Sequence, residues 1–464
     1  MPKKFSAFER QPLSCIDMEH FTLMNNDLQK KRMFLFLQGP HGPFFSQLAG
    51  ALESYGHTTC QIGFNQGDKI FWANKRSFTP FTLPIDAWSG FLQREFRDTQ
   101  ITDLVIYNDT RPFHKTAIQA AHAKGINVHI FEEGYLRPYW ITYERDGSNG
   151  NSKLMSLAQS AVIPDHLILN PDPVPASCHW GDMREHIFYG AVYHWCILCA
   201  NHQFPNFTSH REISIRKEFR LHLKQLIFTP ARMAARFWAN LTLKFRTHPY
   251  HLILMQLQHD SAIQNHSPFK TNASFLEFVL RSFAKNAAPH HHLVIKAHPL
   301  EDGRSEIAYH LRRLGAKFDI NRRIHYLPGG KLAHVLDPAL SVVTVNSTAG
   351  QQALWRGIPV KTLGKAIYNQ NKFVSEQSLD AFFADPKAPN LPAYRAFRNF
   401  LLKTSQIPGG FYSKAGRQQA IAHLAKKMFH PLDPYTAYLT GETAHNEQDG
   451  LAALPSAAAL VAAE

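Results

Sequence analysis

The sequence predicts an α/β protein of two Rossmann-like, doubly wound domains that face each other across a cleft. Three observations carry this expectation. Short apolar runs alternate with helical apolar spacing in two separate stretches, one from Met33 and one from near Tyr250. The 464 residues exceed one ordinary compact domain and are enough for two. A composition of 44% hydrophobic and 19% charged residues is that of a folded chain, which excludes a disordered or low-complexity protein.

In order along the chain, MFLFLQ from Met33 reads as a buried strand stopped by Gly39-Pro40-His41-Gly42-Pro43. FFSQLAGALESYG then has helical spacing closed by Gly56, and TTCQIGF is a further strand. ITDLVIY (101–107) is a strand, Pro112 to Lys124 a helix ended by Gly125, and NVHIF (127–131) a strand running into Glu132-Glu133-Gly134. The stretch of about 151–247 shows little alternation. The pattern then restarts with the strand HLILMQL, the helix SFLEFVLRSFAK, the strand HHLVIKA and a helix at about 304–314. A short helix near 331–336 leads to the strand LSVVTV (340–345), the turn Asn346-Ser347-Thr348-Ala349-Gly350, the helix QQALWRG and the strand IPVKTLG. The expected division is an extension over 1–32, a first domain over 33–210, a basic interdomain segment over 211–247, a second domain over 248–430 and a disordered Ala-rich tail over 431–464. Two such domains in one basic chain make a GT-B-like layout, the layout of many glycosyltransferases, although such a layout alone does not fix a function.

The net charge of +14 implies an anionic partner: nucleic acid, a nucleotide-linked substrate or an anionic lipid surface. No Walker loop or basic-aromatic RNA-binding signature is present, so nucleic acid is not expected. No apolar run reaches the roughly 18 residues that span a bilayer. Five widely spaced cysteines and a basic start without an apolar region after it suit reduced thiols in the cytoplasm. Cys196-x-x-Cys199 lacks a second ligand pair and is expected to pack in a helix, and His290-His291-His292 is expected to be solvated. No Asp-x-Asp occurs, so no metal clamp for a nucleotide diphosphate is expected.

Residues at the carboxyl ends of parallel strands line the crevice of an open α/β sheet, which singles out five segments. Asn346, Ser347, Thr348 and Gly350 put hydroxyls and backbone N–H groups at a helix start suited to a phosphate; simple capping is the alternative. His298 with Pro299 lies at another strand end and could donate to a phosphate oxygen or leaving group. Glu132 and Glu133 precede Gly134, with Arg137 close enough to meet a carboxylate, and strand alternation lets one of the two reach the cleft. Gln38, Gly39, His41 and Gly42 could let the backbone approach a ligand, or form only a turn. Asp260, in QHDSAI, is either a base or hydroxyl-binding group or a loop cap.

The ordered segments LFLQGPHGPFFSQLA, FEEGYLRPYWIT, LVIKAHPLEDG, VNSTAGQQALWRGIPVKTLGKAIY and TSQIPGGFY resemble the capsule polysaccharide biosynthesis/export family, in particular its single-module β-Kdo transferases that start the poly-Kdo linker of Gram-negative capsules. The resemblance covers most of Met33 to about Lys427. It implies a metal-independent, retaining GT-B enzyme that uses CMP-Kdo, needs no further cofactor, and acts on a lyso-phosphatidylglycerol acceptor at the cytoplasmic face of the inner membrane. Other capsule synthesis and ABC export proteins are the implied partners. By the same carry-over His298 and Pro299 form the His-Pro motif and Ser347 and Thr348 the Ser/Thr motif around CMP. The Glu132-Glu133-Gly134 segment occupies the acidic motif, where related members read Glu-Asp-Gly. On this reading Glu133 is the catalytic carboxylate with Glu132 as runner-up, His298 serves the leaving group, and Asp260 is the candidate base. The alternatives are a noncatalytic export or assembly component and a transferase of another CMP-linked sugar acid. The basic stretch from Arg211 to Arg246, with nine Lys/Arg against two Glu, is a candidate for membrane contact or for packing between domains.

Overall fold

The computed structural model describes residues 31–137, 139–159, 183–207, 248–258, 261–298, 301 and 305–442. The basic segment 211–247 and residues 443–464 of the tail lie outside the described residues, as do residues 1–30. The first half runs β1 (Met33–Phe36), α1 (Phe44–Ser54), β2 (Thr58–Gly63), α2 (Gln66–Phe71), β3 (Phe78–Pro80), α3 (Trp88–Asp98), β4 (Asp103–Tyr107), α4 (Pro112–His122), β5 (Asn127–Glu133), β6 (Trp140–Arg145), α5 (Lys153–Gln159) and α6 (Met183–Ala200). The second half runs β7 (Tyr250–Leu254), α7 (Ser261–His266), α8 (Asn272–Asn286), β8 (His292–Lys296), α9 (Ile307–Lys317), β9 (Ile324–Leu327), α10 (Ala333–Leu336), β10 (Ala339–Thr344), α11 (Gly350–Trp355), β11 (Val360–Thr362), α12 (Leu379–Ala384) and α13 (Leu391–Lys403). The chain closes with β12 (Gln406–Pro408), α14 (Lys414–Phe429) and α15 (Pro434–Leu439).

The first sheet has the order β12-β6-β5-β4-β1-β2-β3 and the second β11-β10-β7-β8-β9. Strands β5, β4, β1, β2 and β3 are mutually parallel, and so are all five of the second sheet. In both, the first strand is central, the next two extend to one side and the fourth and fifth to the other. These are two doubly wound, Rossmann-like domains in a GT-B-like arrangement. Helices cover both faces, so the strands are apolar on both sides: Phe34 and Phe36 of β1 pack with α1, while Leu35 packs on the opposite face with Trp88 and Leu92 of α3. Local chemistry starts the helices. Thr271 caps α8, Asn390 caps α13, and Pro112 opens α4.

Two boundaries differ from the sequence expectation. The second domain was expected to run to residue 430, but after α13 the chain returns to the first: β12 pairs antiparallel with β6. The cause is burial, because Ile407, Phe411, Ala420, Leu424 and Met428 complete the core around Phe44 and Phe131, and β12 covers the edge of β6. The tail was expected to be disordered from 431, yet Asp433 caps α15 and Tyr435, 1% exposed, sits in the core shared by both domains with its hydroxyl on Glu144.

The His290–His292 run, expected to be solvated, belongs instead to a histidine cluster at the amino edge of the second sheet. His248 stacks on His292 with centroids 4.4 Å apart, and His292 Nδ1 lies 2.7 Å from His325 Nε2. His251 is fully buried; its Nδ1 lies 2.8 Å from the Ser341 hydroxyl and its Nε2 3.1 Å from His291 Nδ1. Burial, with His291 and Arg323 adding, pulls the His251 imidazole down to about 3. Below the ordinary histidine value of about 6.5 the unfolded chain takes up a proton that folded His251 refuses. This group's contribution to stability is therefore expected to fall by about 1.4 kcal/mol per pH unit between about pH 6.5 and 3. Urea unfolding of wild type and His251→Gln across that range checks this: the variant should lose one proton's worth of slope, and parallel pH profiles would contradict the assignment.

Candidate active site

In each sheet a crevice opens where neighbouring loops diverge, between β1 and β4 in the first and between β7 and β10 in the second. On the first, the Gln38 amide donates to the Tyr193 hydroxyl at 2.8 Å, and its Oε1 accepts from Arg111 at 2.9 Å. Tyr193 in turn donates to Asp68 at 2.9 Å and accepts from Asn65 at 2.7 Å. Burial pushes the Asp68 carboxyl up against the opposing pull of the Phe64 N–H and Tyr193. His41 stacks on Tyr193 at 4.4 Å. A β-carbon at Gly39 would lie 2.7 Å from the Phe45 ring, and one at Gly42, where φ is +115°, 3.1 Å from the Tyr189 ring. Gln38, Gly39, His41 and Gly42 thus pack against the protein's own side chains. The cation beside them is Arg111, half-buried at the start of α4 and 5.3 Å from the Tyr107 ring centroid.

At the end of β5 the two carboxylates diverge as strand alternation requires. Glu133 Oε1 accepts from Tyr412 at 3.2 Å and from Tyr107 at 3.4 Å. Burial, reinforced by Glu133, pushes both phenols well above their ordinary range and keeps them as donors. Glu132 Oε1 accepts the N–H of Glu133 at 3.4 Å. Arg137, expected to meet a carboxylate, is exposed and donates to the Gly134 carbonyl at 3.2 Å. A β-carbon at Gly134 would fall 2.1 Å from the Trp140 carbonyl oxygen, so the turn that aims β5 at the second domain admits only glycine.

On the second crevice Asn346 is engaged internally. Its Oδ1 accepts from Gln256 at 2.9 Å, its N–H donates to Gln256 Oε1 at 3.1 Å, and its Nδ2 donates to the His266 carbonyl at 3.3 Å. The Ser347 hydroxyl accepts from the Ala349 N–H at 3.2 Å, which is a capping bond. Among the described residues, none bonds to the half-buried Thr348 hydroxyl or to the N–H groups of Ser347 and Thr348. Gly350 allows Tyr368 to close over α11, since a β-carbon there would lie 2.3 Å from its hydroxyl. His298 lies two residues past the end of β8, half-buried, but β7 stands between β8 and β10. His298 and the Ser347 turn are thus not on neighbouring strands, and about 10 Å of sheet separates them, with Gln256–Gln258 between. Pro299 and Asp260 lie outside the described residues.

The two crevices meet along a seam. Gln351 of α11 donates to the Tyr135 carbonyl at 2.8 Å, while within the first domain the neighbouring Leu136 N–H is held by Gln406 of β12 at 3.1 Å. Lys115 donates to Asn265 at 3.1 Å, and Asp109 accepts from the Ser148 N–H and from Asn151, both at 3.0 Å, shaping the turn that packs on His266. Arg111, Tyr107, Tyr412 and Gln351 were missed as site residues by sequence reasoning. Their sequence signals are slight: Arg111 follows the end of β4, and Tyr412 and Gln351 lie inside segments that carry the family resemblance.

The family profile described as capsule polysaccharide biosynthesis protein matches residues 102–412. The chain belongs to this capsule polysaccharide biosynthesis family. It is 31% identical over 392 residues to the capsule polysaccharide export protein KpsS of Escherichia coli, covering 82% of this chain and 97% of that protein. It is 30% identical over 408 residues to the capsule polysaccharide modification protein LipB of Neisseria meningitidis serogroup A, covering 84% and 94%. Among solved structures, the β-Kdo 2,7 transferase of Thermosulfurimonas dismutans KpsC aligns over 85% of this chain and 99% of that one, with 12% identity and a TM-score of 0.42.

The steric demand at Gly134 gives a direct test. Gly134→Ala should cost about 2–4 kcal/mol in denaturant unfolding, because its new carbon meets backbone that cannot yield. Gly90→Ala, in the exposed part of α3 with open space around it, should gain up to about 1 kcal/mol. Equal effects of the two substitutions would refute the close-approach account.

Proposed function

We propose that the chain is a retaining glycosyltransferase that moves β-Kdo from CMP-Kdo to a lyso-phosphatidylglycerol acceptor at the cytoplasmic face of the inner membrane. The observation that carries this is the placement of Glu133. It is held by two phenols and lies two residues from the peptide carbonyl bonded to α11, whose preceding turn offers Thr348 and two backbone N–H groups. In the proposed reaction the bond between the sugar's anomeric carbon and the CMP phosphate breaks, and the phosphate departs with the electron pair. Glu133 then stabilises or traps the cationic sugar, and an acceptor hydroxyl bonds to the same face that CMP left.

The Ser347–Thr348 turn and His298 bind and neutralise the leaving phosphate from its two sides. A single phosphate can be held by N–H groups, hydroxyls and an imidazole, so the proposal needs no metal. Arg111 lies on the first-domain side and suits the sugar's carboxylate or the acceptor's phosphate. Asp260 is the proposed base for the acceptor hydroxyl. The relatives named for export and modification support a second reading, a noncatalytic component that binds a glycolipid. CMP release separates the two.

Glu133→Gln should lower CMP release from CMP-Kdo by about 100-fold or more and leave CMP affinity by calorimetry within about twofold, because the carboxylate acts on charge that develops in the transition state. An active Glu133→Gln beside a dead Glu132→Gln would exchange their roles, and two active variants would make the segment structural. Ser347→Ala with Thr348→Ala, and separately His298→Ala, should each weaken CMP binding about tenfold, or about 1.4 kcal/mol. Unchanged affinity in both would remove the nucleotide from this crevice.

A further inference from the structure

Helix α6 has two unlike faces. Its inward face closes the first crevice: Tyr193 stacks on His41, Tyr189 fills the space beside Gly42, and His186 lies 4.3 Å from the ring of Tyr412, the phenol on Glu133. Its outward face is apolar. Ile187 is 62% exposed, Phe188 61%, Trp195 65% and Leu198 41%, a spacing that puts them along one stripe of the helix. Ala191 and Cys199 are exposed in the same stripe, and no charged residue follows Glu185 within the helix. The chain crosses no membrane through this element, because no described helix is long and apolar enough to do so. Large side chains this exposed, with tryptophan among them, mark a surface that is covered in use.

The rim of the stripe indicates what covers it. Helix α2 packs against α6, with Phe71 5.7 Å from Tyr189, and adds Ile70, 47% exposed. It leads into Lys75, whose ammonium donates to the carbonyls of Lys69, Ile70 and Trp72 at the end of α2, and into the exposed Arg76, and between Lys69 and Ile85 the sequence has no acidic residue. A second copy of this chain would bring basic rim onto basic rim, whereas an anionic bilayer complements both the stripe and its rim.

We infer that the outward face of α6 seats the protein on an anionic lipid surface, with the apolar stripe in the headgroup–acyl boundary and the carboxylate site on the other side of the same helix. A helix is about 10 Å across, so a lipid headgroup at this surface would stand one helix width from Tyr412. The inference deepens the proposed function and rests on its lipid acceptor.

The test uses the full chain and vesicles of phosphatidylglycerol with phosphatidylethanolamine, against vesicles of phosphatidylcholine. Wild type should sediment with the anionic vesicles, less so at high salt, and bind phosphatidylcholine at least tenfold more weakly. Phe188→Glu with Trp195→Glu should lower binding to anionic vesicles at least tenfold, while Tyr309→Glu, at an exposed site on α9, should bind like wild type. Circular dichroism and CMP affinity should match in all three proteins. Equal sedimentation of wild type and the double variant would overturn the inference, as would equal binding to both vesicle types. Loss of a dimer in ultracentrifugation without loss of vesicle binding would give the stripe to a second copy and likewise overturn it. Vesicle binding through α6 without CMP release would leave this surface standing and defeat the transferase reading; CMP release with wild-type vesicle binding by the double variant would do the reverse.

Discussion

The hydrogen bond from Gln351 to the Tyr135 carbonyl, and the apolar cluster around it, set how the two domains meet. Tyr135, Leu136, Trp140 and Leu154 come from the first domain, yet they belong to one continuous cluster with Leu252, Val342, Leu354 and Tyr394 of the second. Burial at that scale, about 25 cal/mol per Å2 of apolar surface, makes the seam part of the core. Gly134 is the enabling residue, since only a residue without a β-carbon can pass the Trp140 carbonyl and turn the end of β5 into the seam. The direction of Glu133 follows from that turn, and so does its distance from the Ser347–Thr348 loop.

The chain's positive charge acquires a division of labour from this geometry. Arg111 is held by Gln38, which is held by Tyr193, which is held by the buried Asp68, so the cation over the Tyr107 ring is fixed by a buried polar chain rather than by a surface ion pair. The second crevice offers peptide N–H groups and a hydroxyl, with Asn346 spent on the Gln256 pair that shapes the loop. Helix α6 joins the proposed chemistry to the proposed lipid surface, because one side of it contacts His41 and Tyr412 and the other is the exposed apolar stripe.

Much of the fold was legible where burial on both faces leaves a continuous apolar run, as in MFLF, DLVIY, LVIK and SVVT. Two of the elements missed owe their burial to distant partners. The strand Gln406–Pro408 is three residues long and contains a proline, and only the exposed edge of β6 makes it a strand. The helix after Asp433 has a clear cap and proline start, but it follows a run leading to an Ala-rich tail that masks it in composition. The acidic and hydroxyl segments of the candidate site could be picked out from strand ends alone. Roles within them could not, because Asn346 and Gln38 look like ligands in sequence and become scaffold through Gln256 and Tyr193, whereas Tyr412 reaches Glu133 across 279 positions.

The proposed reaction at this seam joins a CMP-linked sugar acid to a lipid. Mass spectrometry of the lipid after incubation of the purified chain with CMP-Kdo and lyso-phosphatidylglycerol tests it most directly. The expected product is a lipid heavier by one Kdo residue, with CMP released in equal amount. An unchanged lipid, whether CMP-Kdo stays intact or is merely hydrolysed, would contradict it.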